Sequence, residues 1–300
     1  MSSNLTVIIL TRNEEKHIRR CINSFSKIPS RIVIVDSFST DKTVDIGREL
    51  GADIYERKFY NHADQFQWAI ENTNIQTEWI MRMDADEIWE EALAKEIEEA
   101  LKNQCSKING IYIKRKWIFL GKWLKHGGIY PLILLRIWKR GTANIEQRFM
   151  DEHIVLKIGS TTILKNHIHD HNLNGITWWT NKHNWYSSRE MIDILNKDLK
   201  LFKEDKSLET KGSGQAAFKR FLKNKIYSSF PLGIRAIGFF IYRYILRLGF
   251  LDGKQGFIHA ILQAFWYRFL VDVKVLEFNE ALKNGRSPNE ILKTDHNIEI

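Results

Sequence analysis

Cysteine is nearly absent from this chain of 300 residues: Cys21 and Cys105 are its only two. Two distant thiols give neither a disulfide framework nor a zinc spacing, and they fit a reducing compartment, the cytosol. The N-terminus, MSSNLTVIILTRNEE, has no basic segment followed by a long apolar core and a small-residue cleavage site, so no signal peptide is expected. No apolar run is long enough to cross a bilayer; in the most aromatic stretch Arg235, Arg243 and Arg247 interrupt every such window. Neither G-x-G-x-x-G nor G-x-x-x-x-G-K-[ST] follows the first apolar run, which disfavours a dinucleotide site or an ATP P-loop. No internal repeat is visible. What remains is an ordinary globular composition, 44% hydrophobic and 27% charged, enough for one large domain or a domain with an appendage.

Within that composition, strands and helices alternate. Leu5–Leu10 (LTVIIL) is a continuous β-branched run, as in a strand buried on both faces. A helix carrying Ile18, Cys21, Ile22 and Phe25 follows, then Pro29-Ser30 and a second strand, RIVIV, ending at Asp36. A helix over 41–50 stopped by Gly51, a short strand over 52–55, a helix over 63–72 and a strand over 79–83 complete the first part. This order predicts a mostly parallel central sheet with helices on both sides. Ligands of such sheets bind beyond the carboxyl ends of the strands, here Thr11-Arg12-Asn13, Asp36-Ser37 and Asp84-Ala85-Asp86. Asp84 and Asp86, two apart at a strand end, can aim at one point. A hard divalent cation carrying a diphosphate would sit there, held by one or two protein oxygens plus phosphate and water. The same letters also fit a strand running into an acidic helix N-terminus, where carboxylates offset the helix dipole. Asp36 is placed to accept from a base N–H or a ribose hydroxyl, or else to cap the D-S-F-S-T-D turn.

From Ile108 the pattern changes to alternating, aromatic-rich segments suited to antiparallel or edge strands, GIYIKRKWIFLGKWL and LILLRIW. Asp151-Glu152-His153 precedes the run Ile154–Ile158. His167, His169 and His171 alternate, so on a strand they share one face; a transition-metal site and a role at a diphosphate or acceptor are both open. Trp178, Trp179 and Trp185 lie on a helix over 176–191 and either stack a sugar or pack a core. Residues 192–217 are polar, a linker or exposed helix. Between Lys219 and Arg268 nine Lys/Arg face one acid, Asp252, a surplus of eight out of the chain's +9, among many aromatic residues. Phe239, Phe240, Tyr242, Ile245 and Leu246, with arginines between, fit a helix lying on an anionic membrane surface. Basic helices packing the core or a homodimer fit too. Nucleic-acid binding has no recognised module behind it.

Several of these blocks together resemble family 2 glycosyltransferases of GT-A fold. TVIILTRNEE, IVIVDSFSTDKT, ADQFQWAIENTNIQTEWIMRMDADE and the later DEH carry the likeness, and RYILRLGFLDGKQGF extends it beyond the first 190 residues. The subgroup most similar in pattern builds bacterial lipopolysaccharide core, capsule or other surface polysaccharides. The resemblance implies inverting transfer from a nucleotide-diphosphate sugar, with a bias to UDP. It puts Thr11, Asn13 and Glu14 in the nucleoside pocket and Asp36 on the base. Asp64 and Gln67 fall on a polar helix facing the donor, although Gln67 stands where Asn is commoner, and Thr11-Arg12 replaces the usual proline. In the D-A-D block, Asp84, with Ala85 between, would lie near the ribose or diphosphate, and Asp86 would bind Mn²⁺ or Mg²⁺. Asp151 or Glu152 would be the general base, Glu152 being favoured by the subgroup's pattern, and His169 or His171 would touch the diphosphate or acceptor.

The expected organisation is a GT-A domain over 1–191, with a nucleotide half 1–107 and an acceptor half 108–191. A linker over 192–217 and a basic aromatic helical extension over 218–300 would follow. The enzyme would act on the inner face of the cytoplasmic membrane, on a glycan or lipid-linked acceptor. A sugar nucleotidyltransferase is the rival enzyme, but it wants a Gly-rich basic loop where TRNEE stands. A peripheral membrane protein with a degenerate pocket is the rival outside enzymes.

Overall fold

The computed structural model describes residues 3–102, 107–146, 153–201 and 231–298. Its main sheet begins with β1 (Ser3–Thr11), β2 (Pro29–Asp36), β3 (Asp53–Glu56) and β4 (Trp79–Asp84), all parallel in the order β3-β2-β1-β4. These strands are apolar on both sides because the sheet separates two cores. Leu5, Val7 and Ile9 point to one layer with Ile32, Ile34, Met81 and Met83, while Ile8, Val33, Val35 and Ile80 point to the other.

Helices α1 (Ile18–Phe25), α2 (Thr43–Glu49) and α4 (Glu91–Lys102) cover the first layer; α3 (His62–Asn72) covers the second through Ala63, Phe66 and Ala69. The α2 approach is close: a methyl group on Gly47 would meet Ile34 Cδ1 at 2.7 Å and Ile54 Cδ1 at 2.9 Å. Burying side chains of this size contributes about 1.5–3 kcal/mol each, so alternation of apolar residues on both faces fixes the register.

Beyond β4 the sheet is mixed. β8 (Leu132–Lys139) runs antiparallel to β4 and to β6 (Ile108–Phe119); β6 pairs parallel with β11 (Ser160–Asp170) and antiparallel with the short β7 (Lys122–Leu124). β5 (Glu87–Trp89) closes the order, antiparallel to β11, and β9 (Ala143–Ile145) with β10 (Ile154–Leu156) makes a separate hairpin. The acidic block therefore does not open a helix. Asp84 ends β4, Ala85-Asp86 is a two-residue turn, Glu87 starts β5, and the next helix begins only at Glu91.

By contacts the chain divides into two compact units. The first takes in nearly everything to Leu173; the second takes Lys125–Gly128 and everything from Asn174. Helix α5 (Ile176–Leu199) passes without a break through the boundary expected at residue 191. The reason is apolar: Met191, Ile192 and Leu195 share a core with Val275, Phe278, Ile291 and Leu292 of the C-terminal helices. Most of the expected 192–217 linker lies outside the described residues.

The second unit continues with α6 (Ile234–Ile241), a π-helical turn (Tyr242–Leu246), a 3₁₀ turn (Gly249–Asp252), α7 (Gly253–His259), a second π segment (Ala260–Trp266), α8 (Tyr267–Lys283) and α9 (Pro288–His296). Two buried acids tie it together. Asp272 accepts from Arg235 Nε at 2.8 and 3.0 Å and from the Gly233 amide at 2.7 Å. Asp252 accepts from the amides of Lys125 and His126 at 3.0 and 2.8 Å and bonds the His126 ring at 2.8 Å, which is what joins 125–128 to this unit. Asp272→Ala leaves Arg235 buried without its counter-charge and is expected to lower the unfolding free energy by about 3–5 kcal/mol, read by chemical denaturation.

Candidate active site

The first two strand ends are laced to each other by side chains. Asp36 is fully buried and its carboxylate is occupied: Oδ1 accepts from the Thr11 hydroxyl at 2.7 Å and the Ser39 hydroxyl at 2.6 Å, and Oδ2 from the Ser39 amide at 2.6 Å. The Asn13 amide donates to Ser39 Oγ, and Asn13 Oδ1 accepts from the Thr40 amide, both at 2.8 Å. Asn13 sits at φ +57°, a left-handed conformation that Asn tolerates better than most residues. The Glu14 amide donates to Thr43 Oγ1 at 2.7 Å. Leu173 N–H donates to His17 Nε2 at 2.9 Å, so the neutral ring carries its hydrogen on Nδ1 and gives it to Glu14 Oε2 at 2.6 Å. Thr11, Asn13, Glu14 and Asp36 thus lie together in one rigid pair of loops.

Helix α3 divides its polar residues. Gln65, fully buried, donates from Nε2 to Ser37 Oγ at 3.1 Å, beside Asp36. Gln67, the residue expected from the sequence, instead gives its amide to Glu71 one turn on, at 2.6 Å, at the exposed side of the helix. Spacing separates the two: Gln65 falls in line with buried Ala69, two positions off Gln67. Asp64 pairs with Arg57 at 2.8 Å.

Asp84 and Asp86 have different surroundings. Asp84 belongs to a network of three guanidinium and three carboxyl groups drawn from five strands. Arg136 Nη2 lies 3.3 Å and Arg82 Nε 3.5 Å from Asp84. Arg136 also holds Glu87; Arg115 Nη1 is 3.6 Å from Glu87 and 3.2 Å from Asp170. Burial presses on both Asp84 and Glu87. Arg136, Arg82 and Arg115 outweigh it at Asp84 and hold that carboxyl well below the usual carboxylate range. At wholly buried Glu87, burial prevails over Arg136 and, with the neighbouring Asp84 charge, pushes the carboxyl up.

Asp86, at the turn, is in no ion pair among the described residues. Its Oδ2 accepts from Asn172 Nδ2 at 2.9 Å, and its carbonyl accepts from the His171 amide at 3.1 Å and Arg20 Nη2 at 3.3 Å. Arg20 also donates to the His171 carbonyl and, at 3.3 Å, to His171 Nδ1. Burial, together with the Arg20 charge, lowers the His171 pKa and keeps the ring neutral.

The alternating histidines therefore part company. His171 lies against the Asp86 turn, whereas His169 Nε2 bonds Glu90 Oε1 at 2.7 Å. His167 stands between Glu90, 3.2 Å from Nδ1, and the Tyr130 hydroxyl, 2.7 Å from Nε2. Among the described residues no group of three or more His, Cys, Asp or Glu is arranged to hold a metal. The donor set around Asp86 suits a cation shared with a diphosphate, which needs only one or two protein oxygens, and does not suit an all-protein cage. Asp151 and Glu152 lie outside the described residues. Arg20, Gln65, Glu90 and Asn172 were not singled out by sequence; lone cations inside apolar WIMRM (Arg82) and LILLRIW (Arg136), with Glu87 in the acidic block, were the visible signals of the network beneath the turn.

Parallel strands whose carboxyl ends gather Asp36, Asp84 and Asp86, followed by a mixed half-sheet, define a nucleotide-sugar transferase architecture of GT-A fold. The model of the family described as Glycosyl transferase family 2 matches residues 6–173, more than half the chain, and the chain belongs to that family: it is a glycosyltransferase. An uncharacterized glycosyltransferase of Rickettsia typhi is 27% identical over 93% of this chain and 89% of its own length. Among solved structures, a mannosyltransferase from Pyrobaculum calidifontis, in complex with GDP-Man and Mn²⁺, covers 92% of this chain and 88% of its own at 14% identity and TM-score 0.49. Glucosyl-3-phosphoglycerate synthase from Mycobacterium tuberculosis, with Mn²⁺ and UDP, covers 38% of this chain and 44% of its own at 18% identity and TM-score 0.32.

Two outcomes test the electrostatics. Arg136→Ala strips the counter-charge from Asp84 and buried Glu87 and is expected to cost about 3–5 kcal/mol of stability, measured by denaturant titration. Glu90 is held at about 2 because Lys116, His169 and His167 together overcome its burial. A depressed carboxylate stabilises the fold fully above its unfolded pKa and loses that contribution as pH falls. The melting-temperature gap between wild type and Glu90→Gln is therefore expected to be full near neutrality and to close as pH drops from about 4.5 towards 2.

Proposed function

We propose that the enzyme transfers a sugar with inversion from a nucleotide-diphosphate donor, a UDP-sugar by family bias, to a surface-glycan or lipid-linked acceptor at the inner face of the cytoplasmic membrane. The observation that carries this reading is the division within the D-A-D block. Asp84 is committed to arginines, and Asp86 is left at the turn in no ion pair among the described residues, its Oδ2 accepting from Asn172. Asp86 would hold Mn²⁺ or Mg²⁺ with the donor's phosphates; when bound, the cation supplies Lewis-acid stabilisation to the leaving diphosphate.

The residues' own work is positional. Thr11 and Ser39 hold Asp36 in place, and Asn13 braces the second loop, so the nucleoside would meet a preformed rim. Ala85, 5% exposed, anchors the turn in the core and so fixes the approach of Asp86. Arg20 and His171 supply a cation and a neutral imidazole beside the turn, suited to phosphate oxygens. An inverting transfer needs a carboxylate within hydrogen-bond reach of the acceptor hydroxyl, opposite the leaving group; Asp151 or Glu152 would take that proton.

Calorimetric titration of UDP, with GDP as comparison, tests the donor site. Nucleotide affinity is expected to rise with Mn²⁺, and Asp86→Ala to abolish most of that rise, tenfold or more, about 1.4 kcal/mol per tenfold. Metal-independent binding by wild type, or undiminished binding by Asp86→Ala, overturns the reading.

A further inference from the structure

The C-terminal unit turns its apolar side chains outward. Ile234, Ile237, Ile241 and Ile245, spaced by three or four residues, line one side of α6 and the π turn after it, and all four are exposed. The next residues prolong that surface: Leu246 is 68% exposed and Leu251 54%, with Leu248 and Phe250 beside them. The rings of Phe240, Tyr244, Phe250 and Phe257 link the two parts, Tyr244 lying 5.4, 6.3 and 5.6 Å from the other three. At the far end Phe269 of α8 comes within 3.3 Å of the Cβ position of Gly233, so exposed Phe269 and Val273 continue the same band.

Two of the arginines expected to face lipid turn inward instead. Arg235 is buried on Asp272, and Arg243 Nε donates inward to the Gly127 carbonyl at 2.7 Å. The exposed charge is carried instead by Lys125, Arg247 and Lys254. Between 231 and 276 the only acids are Asp252 and Asp272, and both are buried.

Contiguous apolar bands of this kind are uncommon on proteins that meet only water and mark an interaction surface. The rim selects the partner. A second copy would bring the same cations against these, and like charges facing one another are repulsive. An anionic bilayer supplies both a hydrocarbon boundary for the isoleucines and counter-charge for the rim.

We propose that the α6–π turn face, from Ile234 to Leu251, is a membrane-docking surface that lies in the interface of an anionic bilayer, with Lys125, Arg247 and Lys254 among the headgroups. This rests on the membrane-surface part of the proposed function and gives it residues. The full chain is sedimented with vesicles of phosphatidylcholine alone and of an equal mixture with phosphatidylglycerol, and UDP binding is titrated in parallel. Wild type is expected to bind the anionic vesicles at least tenfold more strongly, with salt weakening the binding. The exposed double variant Ile237→Glu/Ile241→Glu is expected to lose that binding, and Lys125→Glu/Lys254→Glu to lose the preference for anionic lipid, both with unchanged UDP affinity as the mark of a folded protein. Equal vesicle binding by wild type and the isoleucine variant overturns the proposal. So does a wild-type dimer in light scattering that the same variant converts to monomer without any vesicle binding. Loss of UDP binding with vesicle binding intact strikes the donor-site reading alone.

Discussion

Three guanidinium groups facing three carboxyl groups beneath the Ala85-Asp86 turn are the constraint on which the rest of the first unit depends. Arg82 and Asp84 come from β4, Glu87 from β5, Arg115 from β6, Arg136 from β8 and Asp170 from β11. Each strand brings its polar residue to the same level, so none can slip by a residue without leaving a charge buried and unpaired. Such networks contribute little net stability compared with apolar side chains of equal volume, because desolvation offsets most of the attraction. Their effect here is positional. They fix where the parallel half of the sheet meets its mixed half, and the register Asp170↔Glu87 sets the turn against the residues that follow β11.

That placement explains why two aspartates with a single residue between them have different chemistry. Asp84 ends its strand facing the arginines, and the turn carries Asp86 the other way, to where His171, Asn172 and Arg20 gather. The same economy appears at the first two strand ends. Asp36, fully buried and fully bonded, organises the loop carrying Ser37 and Ser39, so donor contacts there would fall to the loop it shapes.

The parallel half-sheet was legible because its strands are buried on both faces: LTVIIL and RIVIV read as strands whatever packs on them, and the helices between them show a single apolar side. The acidic block was ambiguous as structure. D-A-D-E can end a strand or begin a helix, and only pairing with β11 makes Glu87–Trp89 a strand. Gln65 and Gln67 could not be told apart by residue type, since helix phase alone decides which one reaches Ser37. The three histidines looked equivalent under period-two alternation. They part because β11 ends at Asp170, leaving His171 in the loop while Glu90 claims the other two.

The C-terminal unit shows the limit of composition more sharply. A surplus of cations and aromatic residues says what a segment contains and nothing about which way each side chain faces. A guanidinium goes inside when an acid meets it with full hydrogen bonding, as Asp272 meets Arg235 through Nε and Nη2. Arg268 is likewise drawn to Glu190, which the Tyr267 hydroxyl also bonds at 2.8 Å. Each such pairing removes a charge from the surface and fixes the rotation of the helix that carries it; residues three and four positions away share the buried side, and those two positions away turn outward. Ile237 stands two positions from Arg235, and Ile241 and Ile245 stand two from Arg243, so turning those arginines inward is what presents the apolar band. A sequence in which the arginines faced solvent would have buried the isoleucines and left Asp272 without a partner, a far costlier arrangement than an apolar face that a lipid surface can cover.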